Sequence, residues 1–430
     1  MGDRHIVCVP CSGVGSRVVS LRDRMGPLAE RDFRLLFSAT MVTTAGDRLA
    51  AIALAFAVLG LHGAGATQLG IVLAARQVAQ MGIVLFGGVL SDRLPRHRVI
   101  VGASLVQAGA QAVTAGLVLG GTTSIVGIAV AQVVYGAGDG LVEPAERGLV
   151  PQIVSAERLQ EANALQGLSR NVVTVLGYAL GGAIVVASSP GAALAVDAGS
   201  FVICALLLVP IAIPRRTVDS AATFLDDLRE GWREFTDRTW LWSTVVLYGI
   251  VNLAFAGVWL VLGPAVADSD LGGAGAWAIV LATGGVGAIA GGFAALRWRP
   301  RRALLAGCLA PAPVLLQMAG LAPPLPTAVL AVFAFAGGAG LAVHVTLWAT
   351  VFQEHVPERA QSRVSSYDYL LSFVFVPLSV ALVGPVADAI GRSTTIWAAT
   401  GISAACMLAI VLQPSVRSLE SVDAAAPVPA

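Results

Sequence analysis

Lysine is absent from this 430-residue chain, and charge of either sign is scarce: 12% of residues are charged while 56% are hydrophobic. A soluble domain carries about 25% charged residues, because the surface it shows to water must be polar enough to dissolve. The deficit excludes a water-soluble enzyme or binding domain of this length and makes lipid the natural solvent. All 27 basic residues are arginine, and the net charge of +1 gives no case for nucleic acid. Cysteine is rare: Cys204, Cys308 and Cys406 fall inside apolar stretches as small hydrophobes, and Cys8 and Cys11 form one CxxC in the N-terminal tail. That is too few ligands for a metal centre. HExxH, GxSxG and GxxxxGK are also missing, as is any metal-spaced His/Cys cluster. These absences argue against an enzyme, a cofactor or direct ATP drive. No continuous apolar core of leader length stands in residues 1–24. Met25 opens a stretch that reads as a natural start, so residues 1–24 are expected to be a disordered tail or an overrun.

What the chain does have is long apolar runs. A bilayer core needs about 20 apolar residues per helix, and twelve segments qualify: 35–61, 69–90, 99–119, 124–150, 165–186, 192–213, 239–266, 276–296, 303–321, 327–352, 364–388 and 394–413. The expected fold is all-α and integral to the membrane, with twelve transmembrane helices in two six-helix bundles related by a pseudo-two-fold axis. A tail (1–32) precedes the first bundle (33–213), a polar loop (214–238) joins it to the second (239–413), and a tail (414–430) follows. In the loop, Asp226, Asp227, Arg229, Glu230, Arg233, Glu234, Asp237 and Arg238 alternate in sign at helical spacing, which predicts a charged helix on the membrane surface.

Charge placement orients the helices. With both termini in the cytoplasm, the arginines fall in tails, cytoplasmic loops and adjoining helix ends, except Arg48, Arg76 and Arg170 within helices and Arg392 outside. That is the positive-inside pattern, here of a multi-pass protein of the cell membrane. The halves also echo each other: Gly87-Gly88 precedes Arg93, Arg96 and Arg98, as Gly291-Gly292 precedes Arg297, Arg299, Arg301 and Arg302. Parallel six-helix repeats are one way to build an alternating-access carrier.

Gly88-Val89-Leu90-Ser91-Asp92-Arg93-Leu94-Pro95-Arg96-His97-Arg98 resembles the signature loop between helices 2 and 3 of the major facilitator superfamily, with Pro95 where a second glycine is usual. Gly46-Asp47-Arg48 in helix 1, and Glu143-Pro144-Ala145 through Val150-Pro151, resemble its drug and siderophore exporters. So does Gly177-Tyr178-Ala179-Leu180-Gly181-Gly182, which keeps the helix-packing glycines and carries Tyr178 in place of proline. The resemblance spans about residues 31–413. It implies that Asp92 meets the start of helix 11 and Arg147, a latch between the halves that breaks in the other state. Arg93, Arg96 and Arg98 anchor the loop at the anionic leaflet.

Ionisable groups at membrane depth are functional candidates by default. Asp47, about 18 Å into helix 1, and Arg76, at similar depth in helix 2, are expected to form an ion pair. Arg48 points about 100° away, toward a central cavity or another carboxylate. Asp139, Glu143 and Arg147 share one face of helix 4 at i, i+4 and i+8. Arg147 can pair with Glu143, which leaves Asp139 as the lone protonation site. Asp197, Asp368 and His344 are weaker candidates. Trp259, Trp277, Phe293, Phe333, Phe335 and Trp348 could line a cavity or anchor the interfaces. Together these features and the resemblance imply a monomeric, proton-coupled exporter of small amphipathic organic molecules such as drugs, antibiotics or siderophores. An uptake carrier or uniporter on the same fold is the alternative, with an intramembrane sensor or enzyme as a third class.

Overall fold

The computed structural model describes residues 26–121, 124–211 and 231–420, with the side chains of 85–93, 359 and 362 excepted. The N-terminal tail with its CxxC, most of the central loop and the last ten residues lie outside the described residues.

Helix α1 is Arg31–Leu59, α2 Ala66–Arg93, α3 Arg96–Leu119, α4 Ile125–Ile153, α5 Leu159–Ala187 and α6 Pro190–Leu208. The second half follows with α7 Thr239–Leu271, α8 Ala274–Arg297, α9 Ala303–Ala319, α10 Thr327–His355, α11 in two pieces, Glu358–Phe373 and Val376–Ile390, and α12 Arg392–Leu412. Ten helices among the described residues are long and apolar enough to cross a bilayer. The 28 residues of α2 and the shorter α9 complete the twelve.

Each break in the second half has a proline cause. Pro311 and Pro313 divide α9 between Leu309 and Pro313. Pro377, which has no N–H to donate to the Phe373 carbonyl, divides α11. In α7, Pro264 sits between two π-helical turns, Val258–Leu262 and Ala267–Leu271. There the Gly263 amide bonds back to Val258, the wider ring that accommodates a proline one residue on.

The packing is repeated with an offset of six helices. In the first half α1 packs on α5 and α6, α2 on α4, and α3 on α4 and α6. In the second half α7 packs on α11 and α12, α8 on α10, and α9 on α10 and α12. Two six-helix bundles related by a pseudo-two-fold axis result.

The bundles meet along two seams, α5 against α8 and α2 against α11. Small residues make the seams close. A Cβ at Gly70 would stand 2.5 Å from the Val380 carbonyl oxygen, and one at Gly285 would stand 2.7 Å from Val175. Gly182 rests directly on Ala278. At the end opposite the termini a single apolar core runs through both halves, from Leu54 and Leu69 to Val261, Trp277 and Val383. Here the Thr67 hydroxyl of α2 also donates to Asp388 of α11 at 2.6 Å. At the terminal end each half has its own core, Phe33, Ile100 and Leu149 in one and Leu241, Leu304 and Val364 in the other. The molecule is therefore shut at the far end and parted at the end that carries the termini.

Short of α7, residues 231–236 continue as helix, with Arg238–Glu234 (2.7 Å) and Arg233–Asp237 (3.8 Å) pairs at i, i+4. Trp232 and Phe235 pack on Tyr367 of α11. The charged residues of the loop before Gly231 lie outside the described residues.

Candidate functional site

The membrane-depth charges converge inside the first bundle, where α1, α2, α4 and α6 meet. Helix α2 lies close on α4 because Gly136 and Gly140 present bare backbone to it: a Cβ at Gly140 would stand 2.5 Å from the Gln80 carbonyl, and Gly136 touches the Arg76 backbone. Tyr135 and Asp139 flank those glycines at i, i+4, so both reach the same spot. The Arg76 guanidinium lies over the Tyr135 ring at 4.1 Å and pairs with Asp139 at 3.6 Å. The Tyr135 hydroxyl in turn donates to Asp47 of α1.

The expected Asp47–Arg76 pair is thus not formed as such. Arg76 takes Asp139, and Asp47 is tied to the group through Tyr135. The depths were matched, but α2 packs on α4 rather than broadly on α1. For the same reason Asp139 is not a lone carboxyl, since Arg76 is its partner.

A third carboxylate closes the site. Asp197 lies eight residues into α6, fully buried against Gly46 of α1. Gln111 donates to it at 2.6 Å and Ser200 at 3.3 Å, and Gln132 donates to Gln111 at 3.1 Å and to Thr114 at 3.3 Å. Asp197 thus stands beside Gly46, the residue before Asp47, on the side of the group away from Asp139 and its partner Arg76. Nearer the terminal end, Glu146 of α4 accepts from Thr40 of α1 at 3.0 Å and pairs with Arg170 of α5. Between α1, α3, α4 and α6 runs a narrow crevice with Asp47, Asp139 and Glu146 on its wall.

Sequence reasoning missed Tyr135, Gln111, Gln132 and Glu146. The spacing Tyr135-Gly136-x-x-Asp139-Gly140 held a signal, a polar i, i+4 pair beside two glycines on an apolar helix. The amides were passed over because only ionisable groups at membrane depth were taken as candidates, although a buried Gln in an apolar run also needs a partner.

The other singled-out residues fall elsewhere. Glu143 pairs with Arg147 at 2.5 Å on an exposed stretch of α4. Arg96 at the start of α3 donates to the Gly148 carbonyl of α4, and Arg98 is exposed. Gly88, Asp92 and Arg93 belong to the last turns of α2, where side chains lie outside the described residues, and the latch of Asp92 with them. Arg48 is exposed and lies 6.0 Å from the Tyr178 ring, the residue that replaces the motif's proline. Gly177 and Gly181 let α5 approach α1: their Cβ atoms would meet Arg48 at 2.7 Å and Leu49 at 2.8 Å. Gly182 faces α8 instead.

In the second bundle, His344 stacks on Tyr248 at 4.5 Å and its Nδ1 meets the Gly307 carbonyl at 3.0 Å, as a structural histidine does. Trp348 donates to Asp368 at 2.9 Å. Trp259 packs on Trp277 in the far core. Phe293 and Phe335 are exposed on the bundle surface. Among the described residues no cluster of His, Cys, Asp or Glu is arranged to hold a metal.

Comparison with known proteins agrees with this architecture. The sequence profile of the Major Facilitator Superfamily matches residues 36–375. The multidrug efflux pump Tap of Mycolicibacterium fortuitum is 26% identical over 422 residues, covering 92% of this chain and 98% of the pump. Among solved structures, a bacterial homologue of the iron transporter ferroportin in an inward-facing state superposes with a TM-score of 0.69 at 17% identity, over 89% of this chain and 97% of that one. The nucleoside transporter NupG superposes with a TM-score of 0.69 at 13% identity, over 90% and 99%.

Proposed function

Since the chain belongs to the Major Facilitator Superfamily, and so transports small molecules across a membrane by a two-bundle carrier, we propose that it is a proton-coupled exporter of amphipathic organic molecules. The observation that carries this reading is a charge imbalance inside the first bundle. Three carboxylates, Asp47, Asp139 and Asp197, surround one cation, Arg76. An unpaired charge in a low-dielectric interior costs several kcal/mol. The site therefore holds protons whenever it is closed from water, and releases them when water or a cation reaches it. Asp47 and Asp139, each partly open on the crevice, are the exchanging pair; the fully buried Asp197 is held by Gln111 and Ser200 and sets the field.

The positive-inside rule assigns the arginine-rich end, with both termini, to the cytoplasm. The molecule described here is then open inward. In the cycle, substrate enters from the cytoplasm or inner leaflet, the bundles rock about the centre, and protonation from outside drives the return. The likeness to a multidrug efflux pump supports the outward direction.

Reconstitution into liposomes with an imposed pH gradient tests the proposal. An inward-directed proton gradient accelerates export of an amphipathic dye, and Asp47→Asn or Asp139→Asn abolishes that acceleration while dye binding persists. Flux that follows the dye gradient alone and ignores ΔpH would refute proton coupling.

A further inference from the structure

We propose that Arg48 anchors the carboxylate of an amphipathic organic acid in the space between the two bundles. This names the substrate class of the export reading and rests on that reading for the direction of transport. Arg48 lies just past the middle of α1 and is exposed. The other two arginines at membrane depth are paired, Arg76 with Asp139 and Arg170 with Glu146. Among the described residues no carboxylate stands within ion-pair distance of Arg48, whose contact is the Tyr178 ring at 6.0 Å. An unpaired guanidinium at this depth is costly and calls for an anion.

Its exposure is to the space between the bundles rather than to lipid. From Leu49 to Val58 every residue of α1 is buried except Ala51. A lipid-facing stripe through Arg48 and Ala51 would run on to Ala55 and Val58, which are 3% and 0% exposed. Both belong to the apolar core that shuts the far end across the two halves. The opening at Arg48 therefore ends against protein, where α1 meets α7 and α8 of the other bundle.

Helix α5 shapes the anchor. Gly177 lets the Arg48 stem lie on the α5 backbone, since a Cβ there would stand 2.7 Å from that of Arg48. Val175 and Gly182 face α8, and Tyr178, three residues after one and four before the other, shares that side. Its ring flanks the guanidinium and takes none of its N–H donors. Asp47, next in the chain, points about 100° away to the Tyr135 hydroxyl and leaves the fork uncovered.

The ligand's chemistry follows from this setting. A guanidinium presents its N–H donors in a planar fork that a carboxylate matches with two parallel bonds. One cation balances one negative charge, so a phosphate dianion is left half matched, and an ammonium group is repelled. Toward the far end the walls are apolar: Tyr178, Phe255 and Trp259 pack half-buried on the shared core, the last two stacked at 5.9 Å. An acid with a flat apolar body suits both the fork and these rings.

The test is calorimetric binding to the full-length protein in detergent at pH 8, with naphthoate, naphthylmethanol and naphthylmethylammonium as probes. Naphthoate is expected to bind at least ~10-fold more tightly than the alcohol, the factor that one charge-assisted hydrogen bond commands, and the ammonium more weakly than either. Arg48→Met brings acid and alcohol within about twofold, and its melting temperature stays at the wild-type value because no carboxylate is stranded. Ala51→Glu, one turn along the same face, gives the fork a tethered carboxylate and removes the preference with Arg48 intact. Equal binding of acid and alcohol by the wild-type protein overturns the proposal; an undiminished preference in both folded variants overturns its location. A marked loss of melting temperature in Arg48→Met would show an arginine that holds the fold instead of a ligand. Binding needs no gradient. Acid selectivity without proton coupling therefore strikes the export reading alone, and coupling without acid selectivity strikes this one alone.

Discussion

Replacing Asp139 with Asn leaves the shape of the N-terminal site almost unchanged and removes the carboxylate that faces Arg76. The two charged groups are 3.6 Å apart, with side chains 20% and 27% exposed. At an effective dielectric of 20 their attraction is about 4.6 kcal/mol. Removing one partner of such a pair costs roughly 3–5 kcal/mol, because the other charge is stranded. The Tyr135 ring, 4.1 Å beneath the guanidinium, contacts it before and after the substitution and so does not offset that loss. Asp139→Asn is therefore expected to cost about 3–5 kcal/mol, and Arg76→Met, which strands the carboxylates around it, about as much. The double variant loses less than the sum, by a coupling energy of about 2–3 kcal/mol. Reversible unfolding in mixed micelles at pH 8, followed by tryptophan fluorescence, measures all three. Additivity within about 0.5 kcal/mol would mean that Arg76 does not depend on Asp139, and the charge imbalance would lose its geometry.

Three further outcomes follow from contacts described above. Asp388→Ala removes the acceptor of the Thr67 hydroxyl at the closed end, a bond of about 1.5–3 kcal/mol; spin labels at residues 63 and 391 should report a growing population with that end open, and an unchanged distance distribution would refute a gating role for the bond. Gly182→Leu forces a side chain onto Ala278 and should arrest transport with the far end unable to close, whereas Gly199→Leu, with nothing within 4 Å of its Cβ, should transport as wild type; equal activity of the two variants would show that the α5–α8 seam does not need its glycine. Trp348→Phe takes the indole donor from Asp368 and should lower thermal stability by about 1–3 kcal/mol; loss under 0.5 kcal/mol would show that water replaces the indole.

The helices were legible because a membrane span is written in a continuous run of apolar residues, which needs no knowledge of its neighbours. Ends shifted by a few residues: the span expected over 35–61 forms as Arg31–Leu59, since a helix continues past the oil into polar headgroups. The proline breaks in α9 and α11 were not foreseen, although Pro311, Pro313 and Pro377 mark them. The site was half legible. Counting 1.5 Å per residue put Asp47 and Arg76 at one depth. It could not say which helix stands between them, and that is α4, drawn in by Gly136 and Gly140. Partners across a bundle depend on packing, and packing on where small residues lie on each face. Gln111 and Gln132 went unnoticed because they carry no charge, yet buried beside Asp197 each must find a partner.

The seams between the bundles are made chiefly where glycine meets backbone, at Gly70 on Val380, Gly384 on Thr67 and Gly182 beside Ala278. Beside them the larger side chains of the shared far-end core, from Leu54 and Leu69 to Val261, Trp277 and Val383, pack across both halves. At the glycine contacts themselves, parting requires no rotamer to change and leaves no cavity of the kind that a withdrawn leucine would leave. Lipid tails or water can lie against the bared glycines as they find them. At those contacts the two bundles lie together like stacked plates rather than like meshed gears.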